Sequence, residues 1–254
     1  MQPPRPSHPD AAWPHYQAYG RVIESIYAIP VHFNSRTVIE GIPATDLQTL
    51  NTVLGAAIEE QVVATLNQMR SVWDPAGEYQ TYFFQRQAQV FPDVLFKSDR
   101  NGQDIVFGIE LKGWYLLSKE RVPNFRFTTT ADACADADLV VVVPWALSNV
   151  LSGSPVTYRP FVVPAKYAAA YRNYWWTEIR SSRSDKTIVV PTSVSPYPSK
   201  SDQVADRPNS DGGGNFGRLA RTGMMDEYIE QTLNVPLAGI PAKDWIDFLR
   251  RFEQ

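Results

Sequence analysis

The sequence predicts an α/β fold: a mixed central β-sheet flanked by helices, with a helical and loop-rich C-terminal half. Three observations predict it. Residues 44–70 carry apolar side chains every three to four positions, the period of one buried helix face. The stretch that follows switches to aromatic and β-branched runs divided by an Asn-Gly pair, which is strand and hairpin chemistry. Leu139-Val140-Val141-Val142-Val143 is then a continuous apolar run, as expected of a strand buried on both faces.

The elements follow in order. Pro3, Pro4, Pro6, Pro9 and Pro14 crowd the N-terminus, so residues 1–43 read as an extended Pro-rich arm. Helix 44–70 is capped by Thr45 or Asp46 and buries Leu47, Leu50, Leu54, Ile58, Val62, Leu66 and Met69. Asp74-Pro75-Ala76-Gly77 ends that pattern. Residues 79–90 form a strand with Gln85, Gln87 and Gln89 on one side, and residues 93–97 form a second. Asp99-Arg100-Asn101-Gly102 turns the chain into a third strand, Ile105 to Lys112. Residues 128–138 are a short helical or loop segment before the buried strand, which ends at Pro144. Pro164 opens a helix over 164–182 with Tyr167, Tyr171, Tyr174, Trp175 and Ile179 along it. Residues 191–223 are a long Pro-, Ser-, Asp- and Gly-rich segment, and two helices at 224–233 and 241–253 close the chain. The chain thus divides into an arm (1–43), a core (44–150) and a C-terminal region packed on it (151–254).

Composition removes several classes of function. The chain has 254 residues, 44% hydrophobic and 20% charged, values of an ordinary globular protein. Its single cysteine, Cys134, excludes an internal disulfide and a cysteine zinc site. The three histidines, His8, His15 and His32, all precede the core, which argues against a histidine metal centre or a Ser-His-Asp hydrolase. The net charge of −3 carries no global polybasic signal, so a nucleic-acid site has to be a local patch. No stretch reads as a membrane span or a signal peptide, and the expected setting is a reducing cytoplasm. The Gly-rich run Asp211 to Gly223 lacks the Gly-Lys-Ser/Thr of a P-loop, so no nucleotide cofactor is expected.

One constellation carries chemistry. Phe91-Pro92-Asp93 opens the second strand, and Glu110-Leu111-Lys112 follows seventeen positions after Asp93 on its hairpin partner. Residues two apart on a strand share a face, so Glu110 and Lys112 project together while Leu111 faces the core. Asp93 and Glu110, with a backbone carbonyl near Leu111, form an oxygen set suited to Mg²⁺. Lys112 beside them can orient a water and offset developing negative charge. Its role as a neutral base is disfavoured because two carboxylates keep it charged.

Pro92-Asp93…Glu110-Leu111-Lys112, in the order helix, strand, strand, strand, short helix, buried strand, resembles the PD-(D/E)xK nuclease superfamily over residues 44–145. The resemblance implies a further acid on the preceding helix, Glu59 or its neighbour Glu60. It also implies Mg²⁺-dependent hydrolysis of double-stranded DNA, and most closely a type II restriction endonuclease acting as a homodimer. Residues 151–254 would then serve recognition and dimerisation. Expected DNA contacts are Arg180, Arg183 and Lys186 after the aromatic helix, Asn215, Arg218 and Arg221 in the Gly-rich run, and Lys119 and Arg126 after the third strand. Two other readings stand beside this one: a repair or structure-specific nuclease, and a non-catalytic DNA-binding protein of the same fold.

Overall fold

A computed structural model describes residues 2–100, 104–212 and 215–252. The first element corrects the expected arm. Residues before Tyr16 and from Phe33 to Pro43 are irregular, but between them Tyr16–His32 is a helix, α1, that buries Ala18, Tyr19, Val22, Ile26 and Ile29. Each such aliphatic or aromatic burial stabilises by roughly 1.5–3 kcal/mol, which holds the helix despite its one internal proline. Pro30 sits in the last turn, where a missing amide interrupts little of the helix. Proline density hid an apolar pattern at 18, 22, 26 and 29.

Helix α2, Leu47–Gln68, follows a 3₁₀ turn at Ala44–Asp46, and α3, Arg70–Trp73, follows a break at Met69. The apolar face expected for α2 is buried at Leu50, Leu54, Ile58, Val62, Leu66 and Met69. Helices α1, α2 and α3 pack on one another, and α2 lies on the sheet.

The sheet has six strands: β1 Tyr82–Arg86, β2 Val94–Ser98, β3 Ile105–Tyr115, β4 Leu139–Leu147, β5 Pro155–Thr157 and β6 Phe161–Pro164. β1, β2 and β3 form an antiparallel meander; β4 runs parallel to β3; β5 and β6 both pair antiparallel along the far edge of β4. The sheet is therefore mixed, as predicted. The Asn101-Gly102 turn lies outside the described residues, but the flanking strands pair as expected. The first strand is shorter than 79–90. It leaves the sheet after Arg86, and Gln89 adopts a left-handed backbone with φ 59°.

β4 is buried along its whole length and runs through Pro144 rather than stopping there. The far-edge partners change at that point: Val142 opposes Phe161 of β6, and Trp145 opposes Thr157 of β5. Pro144 sits in the changeover, where its missing donor breaks no ladder bond on that side, and its carbonyl accepts from Tyr158 N at 2.9 Å.

Helix α4, Ala165–Tyr174, starts after Pro164 and runs into a π-helical turn at Trp175–Ile179. Its buried face is Ala165, Ala168, Ala169 and Arg172, continued by Trp176. Tyr167, Tyr171, Tyr174 and Trp175 are only half-buried, and Ile179 is exposed. Small alanines bring this helix close to β4, while tyrosines tolerate a wet edge. Beyond it the chain is largely irregular, with a two-residue pairing of Ile188–Val189 with Arg207–Pro208 and two short helices, α5 Asp226–Leu233 and α6 Ala242–Leu249. Among the described residues no helix is long and apolar enough to cross a membrane.

Candidate active site

β2 stops pairing with β3 at Val94 opposite Ile109, whereas β3 runs on to Tyr115. The edge of β3 facing β2 is therefore open from Glu110 onward, and the candidate groups gather there. Asp93 stands one residue before β2. A loop closed by Gln87 fixes it: Gln87 N donates to Asp93 O at 2.6 Å, and Gln87 Nε2 donates to Pro92 O at 2.8 Å. Pro92 rests directly on Gly108 of β3, where a Cβ would come within 2.2 Å of the proline Cγ. Gly108 is itself held by the fully buried Asp138, which accepts Gly108 N at 2.6 Å and Ala135 N at 2.8 Å. Burial raises the Asp138 carboxyl to about 6, an effect its two amide donors only partly offset.

The Asp93 carboxylate reaches across the open edge. Its Oδ2 accepts Leu111 N at 3.1 Å and Lys112 Nζ at 2.7 Å. Lys112 Nζ also lies 2.9 Å from Glu110 Oε1, so one ammonium joins both carboxylates. A strand residue's N–H and C=O point to the same side, which aims the Leu111 carbonyl off the edge that holds Asp93. From α2, Glu59 Oε1 accepts Gly113 N at 3.3 Å, and its Oε2 lies 3.6 Å from Arg86 Nη2. Glu60 is exposed. The choice between the two helix acids therefore falls on Glu59. A Cβ on Gly113 would lie 3.9 Å from Gly55 O; two bare residues let α2 approach the strand closely enough for Glu59 to reach it. Asn67 locks β1 to the same helix by bonding Phe84 N at 2.8 Å and Phe84 O at 2.9 Å.

The electrostatics follow from this crowding. Burial drives the Glu110 carboxyl up to about 7; Lys112 opposes the shift and Asp93 adds to it. Burial by itself would lower the Lys112 ammonium, but Glu110 and Asp93 outweigh it and hold it above its ordinary range. Glu59 is also raised, chiefly by burial, against the pull of Lys112 and the Gly113 amide. The cluster thus holds a firmly protonated lysine between two carboxylates, one of which titrates near neutrality.

Oxygen donors are the whole ligand set. Among the described residues no three His, Cys, Asp or Glu side chains gather as a metal-holding group. The cluster offers two carboxylates, with Glu59 further along the edge. That fits Mg²⁺, which takes one or two protein carboxylates and completes its shell with water and phosphate oxygens. It does not fit zinc, which favours nitrogen and sulfur. A cleft of about 500 Å³ opens beside Lys112 and Glu59. A second cleft of about 530 Å³, at Tyr27, Arg159 and Tyr228, shares no lining residue with it.

The expected DNA contacts are more scattered. Phe127 N donates to Gly217 O at 2.8 Å, Thr130 N to Val204 O at 2.7 Å and Asp206 N to Thr128 O at 2.8 Å. Val204, Asp206 and Gly217 therefore lie against the segment after β3, and a Cβ on Gly217 would stand 3.3 Å from Arg126 Cβ; Arg218, next in the chain, is half-buried. Phe91, two residues from Asp93, packs on Phe127 at 5.9 Å between ring centroids. Arg126 and Arg221 are exposed, as is Lys119, whose carbonyl accepts Arg250 Nη2 at 2.6 Å. Arg221 donates to Asn215 Oδ1, so that oxygen is already engaged. Arg180 lies over the Trp176 ring at 3.4 Å. Arg183 is exposed and Lys186 half-buried on the turn that follows. Arg172 is not a surface residue. It is 1% exposed, ion-paired with Asp206, and donates to the carbonyls of Phe127 and Thr129.

Four contributors escaped the sequence reading: Arg86, Gln87, Gly108 and Asp138. The strand-like alternation of Gln85, Gln87 and Gln89 placed Gln87 in a ladder, whereas it caps the Pro-Asp turn. Gly108, breaking an otherwise apolar strand, was the one available signal of a close backbone approach. Compared with known proteins, the chain matches no family model, no curated protein and no solved structure.

Proposed function

We propose that the chain is a Mg²⁺-dependent endodeoxyribonuclease that hydrolyses phosphodiester bonds of double-stranded DNA at a defined sequence, in the manner of a type II restriction enzyme. The observation that carries the reading is the meeting of Asp93, Glu110 and Lys112 at the open edge of β3, with Glu59 brought onto the same edge by α2. Asp93, Glu110 and the Leu111 carbonyl would hold the ion. When bound, it supplies polarisation of a phosphoryl oxygen and a more acidic water.

The chain's own residues do the rest. Lys112 keeps its proton, so it orients the attacking water and offsets the charge gathering on the phosphoryl oxygens. Glu110 loses its proton readily near pH 7, which makes its second oxygen available as an acceptor. Glu59, fixed by the Gly113 amide, accepts a hydrogen bond from water at the strand edge. Arg86, paired with Glu59, is placed to meet a phosphate. Arg126, exposed on the segment that follows β3, would meet the backbone of a duplex lying over the edge.

The test is digestion of a long unmethylated DNA of known sequence, with Mg²⁺ or with EDTA, beside Lys112→Ala. Discrete fragments that need Mg²⁺ and vanish in the variant support the reading, and their ends give the site; palindromic ends would support action as a homodimer. Cutting confined to branches or strand ends would replace it with a repair enzyme. Binding without cutting in any divalent metal would leave a non-catalytic DNA-binding protein.

A further inference from the structure

Leu111 N–H points off the open edge of β3 to Asp93. Amides alternate sides along a strand, so Gly108 N–H points the other way, toward β4. Pairing between β3 and β4 starts only at Ile109 opposite Leu139, one residue too late to receive it. Asp138, just before β4, fills that place with its side chain: Oδ1 accepts Gly108 N at 2.6 Å. Its Oδ2 accepts Ala135 N at 2.8 Å, and Tyr197 Oη comes within 3.4 Å of Oδ1. The Asp138 carbonyl accepts Ala165 N at 2.8 Å, so the same residue seats the start of α4. The Cβ that Gly108 lacks would meet both Pro92 Cγ, at 2.2 Å, and Asp138 Oδ1, at 3.1 Å. The proline ring and the carboxylate thus crowd one face of Gly108, and Asp93 is the next residue after that ring.

A buried carboxylate held in this way is sensitive to its own proton. Amides only donate; of the three groups bonded to Asp138, the Tyr197 hydroxyl alone can also accept. A proton on Asp138 therefore settles on Oδ1, facing Tyr197, and turns the oxygen that holds Gly108 into a weaker acceptor. The surroundings do not fix the charge by pairing. Tyr19 of α1, Cys134 and Tyr197 are each raised by burial and then by Asp138 itself, so all three stay neutral. Asp136 is acidic and pairs with Lys166 of α4 at 2.7 Å, and Arg172 of α4 pairs with Asp206.

Resting on the nuclease reading, we infer that Asp138 is a positioning residue for Asp93: its ionised carboxylate, by gripping Gly108 beneath Pro92, keeps the Asp93 carboxylate on Lys112 and Leu111. Protonating Asp138 loosens the strand under the Pro-Asp turn and withdraws Asp93 from the edge where the ion would sit. Tyr197 makes the irregular segment after α4 part of the same device, since its hydroxyl supports the charged form.

The test follows the Gly108 and Leu111 amide resonances of the ¹⁵N-labelled protein, without Mg²⁺, from about pH 5 to 8. Gly108 should titrate near the Asp138 value of about 6. Leu111, bonded to Asp93, should show a step at the same midpoint, apart from the step of its neighbour Glu110 at about 7. Tyr197→Phe removes a donor to the charged form, so it should move both midpoints upward together by about 0.4 to 1 pH unit, the worth of one hydrogen bond. A Gly108 step that Leu111 does not share, or that Tyr197→Phe moves in Gly108 alone, would overturn the inference. Asp138→Asn keeps the size but cannot accept an amide on both sides; it should abolish the shared step and lower DNA cleavage about tenfold or more at saturating Mg²⁺. Parental cleavage by that variant would also overturn it. The folded value lies above that of the unfolded chain, so this group's contribution to stability is lost as pH rises through about 6. Cleavage at saturating Mg²⁺ should rise over the same window, and acid inactivation that coincides with unfolding would count against the inference. The amide titration needs no turnover. Cleavage without a shared step removes the positioning role and spares the nuclease; a shared step with no cleavage at any pH does the reverse.

Discussion

Replacing Gly108 with alanine probes how the sheet positions Asp93. The added Cβ would stand 2.2 Å from Pro92 Cγ, 2.9 Å from Pro92 Cβ and 3.1 Å from Asp138 Oδ1. A proline ring is tied to its own backbone and cannot swing aside like a long side chain. Asp138 is anchored by two amides, so the relief has to come from displacing the Phe91-Pro92-Asp93 segment. Opening 2.2 Å to ordinary contact needs more than an ångström of movement. Asp93 Oδ2 reaches Lys112 at 2.7 Å and Leu111 at 3.1 Å, and a shift of that size takes both beyond hydrogen-bond range. Overpacking should cost about 1–3 kcal/mol of stability, read by urea unfolding. Misplacing the carboxylate should lower DNA cleavage about a hundredfold or more. Pro92→Ala in the same chain removes the nearest atom, so the double variant should be more stable than the sum of the single changes predicts. If Gly108→Ala unfolds within 0.5 kcal/mol of the parent (roughly the scatter of neutral substitutions) and cleaves at the parent rate, the strand does not hold Asp93 in this way.

Four further predictions follow from the same structure. Glu110 has a folded value raised to about 7, above that of the unfolded chain. Its contribution to stability is therefore present below the ordinary carboxylate range and lost as pH rises through about 7; urea unfolding between pH 5 and 8 should show this decline, and a flat profile would contradict it. At limiting Mg²⁺ the cleavage rate should rise across the same window as Glu110 ionises, with a midpoint that falls as Mg²⁺ is increased. Arg172→Met strands the buried Asp206 and should cost about 3–5 kcal/mol, with faster proteolysis of residues 204–217; a loss below 1 kcal/mol (on the order of an exposed pair) would contradict the buried pairing. Glu59→Ala should cut the cleavage rate at least about tenfold, the effect of losing a positioned acceptor, while the exposed Glu60→Ala should match the parent; equal effects would remove Glu59 from the site.

The sequence exposed the parts of this fold whose pattern and chemistry agree. The helix that carries Glu59, the Pro-Asp opening of β2, the Glu-Leu-Lys of β3 and the β4 run all lie where spacing placed them. What stayed hidden depends on partners distant in the chain. Pro30 and the early prolines masked α1, whose apolar face becomes meaningful only against α2 and α3. Pro144 signalled a strand end because a local rule cannot see that β5 and β6 divide the far edge of β4 between them. Tyr167, Tyr171 and Tyr174 carry more apolar area than three alanines, yet close approach to β4 favours the alanines. Arg172 carries no local sign of its burial, because nothing near it in sequence announces Asp206.

The six residues by which β3 outruns its partner have a consequence for handling the protein. A strand whose amides and carbonyls point outward is a template for another chain to zip onto. Here two of those amides, Leu111 and Gly113, are covered by acids, Asp93 from one side and Glu59 from the other. The side chains assigned to chemistry thus also guard the molecule against strand addition. Removing both acids should leave a protein that is inert toward DNA and also inclined to associate through its bare edge, so an inactive double-alanine control belongs at low concentration, with its oligomeric state checked by light scattering.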